Sequence, residues 1–376
     1  MLTGVDRVEL AYLRQFLADD TPAFGLIRTS LGWLLLDRNG IRAFDAAVLS
    51  GDWGRAGLLS RLSRRLTKPQ QAALGFARRH AIKRARPRNL KVLIAGLGDV
   101  DYYTVAHSNL TRAALRPFRY EGNRVNVLIH DIIPLELPDM QRPNTVAQFR
   151  DKISAAIGLA DRIIFNSQDT KDRLDAYIAR EDLDPYAGSV VAHLGADLAV
   201  PDVTAIPQEL DLTRPYFITV GTIEPRKNHR LLLDVWERLG ADAPQLFICG
   251  SRGWQNEDVF ARLDAGIVGV TELAGLSDGA IAALTQNARA MLFPSFAEGF
   301  GLPPVEAAAR GTPVICGDLA IWREVLGDRG VYLDVTDSYE WEKAVKSIAE
   351  QQDSRARSKM IAPSWADHFK IVLSMT

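Results

Sequence analysis

The chain has two cysteines in 376 residues, Cys249 and Cys316, each standing just before a glycine at the end of an apolar run. That is too few for a disulfide framework, and both read as small core residues with reduced thiols. Charge of one sign is also lacking: 45 Lys and Arg face 46 Asp and Glu, a net of −1. A field of that size does not gather nucleic acid, so no nucleic-acid partner is expected and any electrostatic contact must be local. No apolar run reaches the roughly 18 residues of a membrane span, and the first residues lack the pattern of a secretory signal. The expected compartment is the cytosol. The six histidines are scattered without the close spacing of a zinc cluster, so no metal site is expected.

What is present is a two-domain length and an alternation of strands with amphipathic helices. Val5, Val8, Tyr12, Leu13 and Phe16 recur at helical spacing, and the strand-like runs GLIRTS and GWLLLD follow. KVLIAG, RVNVLIH and RIIFNS then read as strands in the first half, and YFITVG, QLFICG, AMLFPS and TPVICG in the second. Such alternation predicts parallel α/β sheets. Gly195, Pro201, Pro207 and Pro215 interrupt the middle, which places a boundary between units 1–205 and 206–376. The last helices, from about Tyr339, are expected to pack back on the first unit. Between Gly54 and Lys91 lie twelve Lys or Arg and no Asp or Glu, interleaved with Leu58, Leu59, Leu62, Leu66, Leu74 and Phe76. A basic helical stretch with an apolar face suits an anionic membrane surface; a solvated helix face is the plainer reading.

The chemistry concentrates in AMLFPSFAEGFGLPPVEAAARGTPVICG. A strand ends in a glycine-rich turn, and Pro303 and Pro304 open a helix, where a missing N–H costs nothing. The N–H groups around Phe300, Gly301 and Leu302 then suit phosphate oxygens or sugar hydroxyls. Glu298 and Glu306 flank this turn, Glu306 within the first helical turn, as two hydrogen-bond acceptors. Alone, each would read as a loop residue or a helix-dipole partner. In YFITVGTIEPRKNHRLLLDVW, Gly221 ends a strand, and Arg226 and Lys227 precede a helix. Cations are unfavourable at that helix end, so the pair points to an anion such as a diphosphate. RVNVLIHDIIPLE places His130 and Asp131 at a strand end, where open α/β sheets carry ligand contacts. FNSQDT offers Ser167, which a helix cap explains equally well.

Glu298 and Glu306 with FGLPP between them resemble the signature of family 4 of the retaining glycosyltransferases, which have the GT-B fold of two Rossmann-like domains facing a cleft. The resemblance covers most of the chain and is densest from Tyr216 to Asp334. It implies an N-terminal acceptor-binding domain and a C-terminal domain that binds a nucleotide-diphosphate sugar without a metal or other cofactor. Arg226 and Lys227 would hold the diphosphate, Glu298 the hexose, Glu306 the ribose and His130 the donor sugar. Gly275 and Leu276, in LAGLSDGAIAAL, would lie against the base. HDIIPLE and EPRKN look most like bacterial mannosyl- and rhamnosyltransferases of surface-polysaccharide assembly, which favours mannose from GDP-mannose and a glycan or polyprenyl-diphosphate-linked acceptor. The resemblance also implies an opening strand and glycine loop. Leu2-Thr3-Gly4 stands where the loop would, so that strand is expected to be lacking: the start lies upstream, or the sheet is one strand short beside Gly4 and Arg7. Two other readings remain: a metal-dependent glycosyltransferase using Asp99 and Asp101 after KVLIAG, and a non-catalytic GT-B scaffold acting through the basic segment.

Overall fold

Three sheets carry the fold in the computed structural model, which describes residues 3–61, 66–120, 122–350 and 358–374. The chain enters through a helix, Gly4–Ala18, whose N-cap Thr3 and Asp6 form a reciprocal capping box. Next, β1 (Gly25–Thr29) and β2 (Gly32–Leu36) form an antiparallel hairpin, and β3 (Ala81–Ala85) pairs with β2 on its far side. The second sheet is parallel, in the order β4 (Asp101–Thr104), β5 (Arg124–Ile129), β6 (Arg162–Phe165) and β7 (Ser189–Val191).

The third sheet is also parallel. It comprises β8 (Tyr216–Val220), β9 (Gln245–Cys249), β10 (Val270–Leu273), β11 (Met291–Phe293), β12 (Val314–Gly317) and β13 (Gly330–Leu333), in the order β10-β9-β8-β11-β12-β13. Its four central strands are buried on both faces, which is why YFITV, QLFIC and VICG read as continuous apolar runs rather than alternating ones. This is the doubly wound order, with consecutive strands leaving in opposite directions from β8 and β11. Core residues run without a break from Val8 and Tyr12 through Leu128 and Phe300 to Trp322, so the two parallel sheets share apolar packing.

KVLIAG corrects a sequence expectation. It is not a strand but part of a helix, Leu90–Ala95. Leu90, Leu93 and Ile94 are buried while Val92 is 74% exposed, a spacing of three and four that so short a run does not reveal. The basic segment is likewise only partly helical: Leu58–Arg61 and Lys68–His80 are helices, but Ala81–Ala85 is a strand. Leu62 and the cations Arg64 and Arg65 lie outside the described residues.

The final helix, Trp365–Leu373, lies against the opening helix. His368 Nε2 sits 2.8 Å from the Tyr12 hydroxyl, and the Tyr12 and Phe369 rings meet edge to face at 4.9 Å. The helix before it, Ser338–Glu350, stays with the third sheet, where Trp341 and Val345 are fully buried. The chain therefore passes between the two parallel-sheet units twice. The passages touch: Ala196 N–H donates to the Pro363 carbonyl at 2.9 Å, and a side chain at Gly195 would collide with Trp365.

Candidate active site at the junction of the two sheets

In the third sheet the strand order reverses between β8 and β11, the place where open α/β sheets form a crevice at their carboxyl ends. The segments leaving these two strands carry the residues singled out from sequence. After β8, Gly221 takes a φ of 146° that favours glycine. Pro225–Lys227 form a single 3₁₀ turn, and Asn228, with φ 52°, leads into the helix His229–Leu239. After β11 the chain turns through Glu298 and Gly301 into the helix Leu302–Arg310. Phe296 N–H donates to the Arg226 carbonyl at 2.9 Å, stitching the two loops together.

At their meeting point is a buried charge cluster. Glu298, 5% exposed, accepts from Lys227 Nζ at 2.6 Å, and the same oxygen lies 2.9 Å from Arg226 Nη1. Arg226 also donates to the Ala297 carbonyl at 2.8 Å and pairs with buried Glu224 at 2.6 Å. Lys227 stands 4.5 Å from the centre of the Phe293 ring. Burial alone would raise the Glu298 carboxyl, but Arg226 and Lys227 outweigh it and bring it down to about 2. Burial lowers Lys227, with Glu298 opposing; for Arg226 the two carboxylates outweigh burial and raise it. Glu224 was not singled out from sequence, although it stands inside the same TIEPRK stretch. Its role needs the turn geometry, which folds residue 224 back onto residue 226.

The second sheet supplies the opposite wall. His130 follows β5, and its Nε2 donates to the Val105 carbonyl at 2.7 Å. Burial lowers its pKa, so the ring is neutral and Nδ1 is its acceptor. The ring of His107 lies 5.3 Å away. Asp131 is raised by burial, an effect Arg226 opposes. A side chain at Gly299 would strike the His130 carbonyl oxygen, so only glycine lets the two walls approach this closely. Asn166 donates to the same carbonyl at 2.8 Å. Ser167 caps the helix Gln168–Arg180, accepting from Thr170 N at 3.0 Å, and its hydroxyl reaches the Gly299 carbonyl at 3.4 Å. Arg173 donates to the Glu298 carbonyl at 2.9 Å and pairs with Glu136 and Asp169. His193 lies 2.7 Å from Glu324 across the junction. The contacts of Ser167 with Gly299, Arg173 with Glu298 and His193 with Glu324 join residues more than a hundred positions apart and leave no local sequence signal.

Around the turn, Gly301 adopts φ 75°, and the Trp322 ring fills the place a side chain would need. The Phe300 and Leu302 side chains are buried, so what they could offer a ligand is backbone. Pro303 and Pro304 stand in the first helical turn as expected, but Glu306 is the fifth helical residue and lies just past it. That correction follows from the helix starting at Leu302 rather than at the prolines. Burial raises the Glu306 carboxyl against the opposing charge of Arg7, whose Nη2 lies 2.6 Å away. Gly275, with φ 73°, and half-buried Leu276 follow β10, and Ser277 caps the next helix. Asp101 begins β4, at the opposite end of its sheet from His130, and Asp99 precedes it. Among the described residues no cluster of three His, Cys, Asp or Glu could hold a metal. Cys249 and Cys316 are free and buried, their thiols pushed up to about 12 by burial.

Three buried histidines and half-buried His107 give the fold an acid limit. Burial lowers His107 and His130, and takes His229 to about 3 and His368 to about 4, from an ordinary 6.5. The native state holds these rings neutral, whereas the unfolded chain protonates them first. Their stabilising effect is therefore complete above pH 6.5 and is lost as pH falls toward 4. Urea midpoints measured from pH 7.5 to 4.5 should fall steadily, and His368→Gln should flatten the slope. An unchanged midpoint would contradict the burial of these rings.

Residues 203–365 match the family model described as glycosyl transferases group 1. The chain is 32% identical over 253 residues to the serotype-specific mannosyltransferase WbdA of Escherichia coli, covering 62% of this chain and 31% of that protein. It is 33% identical over 145 residues to the O-antigen chain mannosyltransferase RfbU of Salmonella typhimurium, covering 38% and 40%. The aligned stretch thus spans about a third of the length of the WbdA proteins it matches. In three dimensions it is similar to Anabaena HepE in complex with UDP, with a TM-score of 0.57, 19% identity, and 77% of this chain and 78% of that one covered.

Proposed function

From the premise that residues 203–365 form a glycosyl transferase group 1 domain within a GT-B fold, we propose that the chain is a retaining hexosyltransferase of family 4, using a nucleotide-diphosphate sugar without a metal. The observation that carries this reading is the buried cluster of Arg226, Lys227 and Glu298 at the point of strand reversal. Two cations held at a crevice, next to the start of a helix, can neutralise a diphosphate leaving group as it gains charge. No residue is needed as a nucleophile. The departing phosphate oxygen accepts the proton of the acceptor hydroxyl, and the protein supplies position and charge. Glu298 orients the hexose and tethers the cations, His130 bounds the sugar from the other wall, and Glu306 holds the ribose. Gly275 and Leu276 present backbone to the base. The similarity to mannosyltransferases of O-antigen synthesis favours mannose, from GDP-mannose, and a glycan or polyprenyl-diphosphate-linked acceptor in polysaccharide assembly.

Wild type and Arg226→Ala should be titrated with GDP-, UDP- and dTDP-sugars in the presence of chelator. One sugar nucleotide is expected to bind and to be slowly hydrolysed by wild type alone. Loss of that activity with chelator would sink the metal-free mechanism, and absence of binding across the panel would favour a non-catalytic scaffold. NMR of the product anomer tests retention. Because burial lowers Lys227, donor affinity should weaken as pH rises through its depressed pKa, and calorimetry from pH 7 to 10 reads this directly.

Peripheral membrane contact is the second part of the proposal, at the inner face of the cell membrane, and no helix among the described residues is long and apolar enough to cross a membrane. Exposed Lys83, Arg84, Arg86, Arg88 and Lys91 surround exposed Ile82 and Val92, which suits an anionic surface. Sedimentation with phosphatidylglycerol vesicles should fall severalfold when Lys83, Arg84, Arg86 and Arg88 are changed to Gln. Equal sedimentation with neutral vesicles would remove this part.

A further inference from the structure

The turn that carries Glu298 is held from two directions. Its carboxylate is fixed by Arg226 and Lys227 of its own unit, whereas three successive residues of the turn are gripped by side chains of the N-terminal unit. Arg173 donates to the Glu298 carbonyl at 2.9 Å. The Thr170 and Ser167 hydroxyls lie 3.3 and 3.4 Å from the Gly299 carbonyl oxygen, and the His193 ring meets the Phe300 ring edge to face at 5.8 Å. The amino end of the helix Gln168–Arg180 and His193 thus form one grip.

A single side chain ties that grip together, and it comes from the other unit. Glu324, on the helix Ala320–Leu326, reaches across the junction. Its Oε1 accepts from the Gln168 N–H at 2.7 Å and its Oε2 from the Asp169 N–H at 2.9 Å, while His193 Nε2 stands 2.7 Å from Oε1. A carboxylate only accepts, so this nitrogen carries the ring proton. The first N–H groups of a helix have no partner within it, and a negative charge is favourable at that end, so Glu324 caps this helix from outside its own unit. Ser167 takes the next N–H, that of Thr170. Burial would raise the Glu324 carboxyl, but His193 and the two N–H groups outweigh it and hold it below its ordinary value.

We propose that Glu324 is a positioning residue: it fastens the Gln168–Asp169 turn and His193 to the C-terminal unit, and these set the backbone of Glu298, Gly299 and Phe300. This role rests on the reading that Glu298 orients the hexose. With its backbone free, the Glu298 carboxylate would follow Arg226 and Lys227 alone, and a misplacement of about 1 Å can cost about 10²-fold in rate. A donor bound to the C-terminal unit while the two units are apart would meet a carboxylate not yet set. Contact between the units is thereby linked to chemistry, and hydrolysis of the donor is limited until they meet.

Glu324→Ala and Glu324→Gln are compared with wild type in two measurements. Amide exchange, read without any ligand, should quicken about fivefold in residues 298–301 of Glu324→Ala and stay unchanged in 246–249 of the central sheet. With the sugar nucleotide that wild type hydrolyses, kcat should fall about tenfold in Glu324→Ala and less in Glu324→Gln, which keeps one acceptor, while KM and the Kd of the free nucleoside diphosphate stay within about twofold. Arg173→Gln removes only the grip on the Glu298 carbonyl and should lower kcat in the same way, which keeps the test decisive if Glu324→Ala does not fold. Unchanged exchange in 298–301 would overturn the grip, whether or not any donor is turned over. Quicker exchange with an unchanged kcat, or a loss of kcat matched by an equal loss of nucleotide affinity, would overturn the positioning role. A wild type inert toward every sugar nucleotide would overturn the reading of Glu298 and this role with it, and the exchange result would still decide whether Glu324 holds the turn.

Discussion

Arg226→Ala should lower turnover by about 10²–10³ with only a modest change in acceptor affinity, by analogy with removal of one oxyanion donor. The position of the guanidinium sets this effect. It is held by Glu224, by the Ala297 carbonyl and by Glu298, so on the proposed mechanism it would meet the developing charge of a leaving diphosphate already oriented. Arg226→Lys keeps the charge but not the fork that serves three acceptors at once, and should recover only part of the loss. Single-turnover measurements with radiolabelled donor separate the chemical step from binding. A variant that retains full turnover would place the leaving group elsewhere.

Glu298→Gln should have the larger effect on stability. The native carboxylate titrates near 2 against an ordinary 4.5, so its contribution is present above about pH 4.5 and fades as pH falls toward 2. Removing one partner from a buried ion cluster leaves the others uncompensated, a loss of about 3–5 kcal/mol. In this variant Arg226 and Lys227 are short of an anion, and a diphosphate should replace what was removed. Pyrophosphate is therefore expected to raise the melting temperature of Glu298→Gln more than that of wild type. At a hundredfold excess over Kd, a ligand adds about 2.7 kcal/mol. Equal shifts in the two proteins would mean that the cations do not receive phosphate.

Much of this arrangement could be read in the sequence because the central strands of the C-terminal sheet are buried on both faces. Runs such as YFITVG, QLFICG and TPVICG have no other stable fate, and the glycines and prolines after them mark the turns. The loop residues at the carboxyl ends of β8 and β11 follow from that pattern, so Gly221, Arg226, Lys227, Glu298 and Gly301 come together as their positions suggest. Short or half-polar strands were harder to see. DYYT, SVV, VTEL and GVYL are three or four residues long and owe their state to neighbours already in place. KVLIAG failed for the converse reason, since a short apolar run such as VLIA fits a helical turn as well as a strand. The pairing of Glu224 with Arg226 and the reach of Arg173 to the Glu298 carbonyl depend on turn geometry and long-range approach, which no window of sequence contains.

The contact between Ala196 and Pro363 has a mechanical meaning. Two bodies joined by a single thread can tumble about any direction, whereas two threads fastened side by side act as the pin of a door. Trp365 packed against Gly195 stiffens that pin. Any opening of the junction between His130 and Gly299 would have to turn about residues 195–196 and 363–365, and the rim furthest from them would travel most.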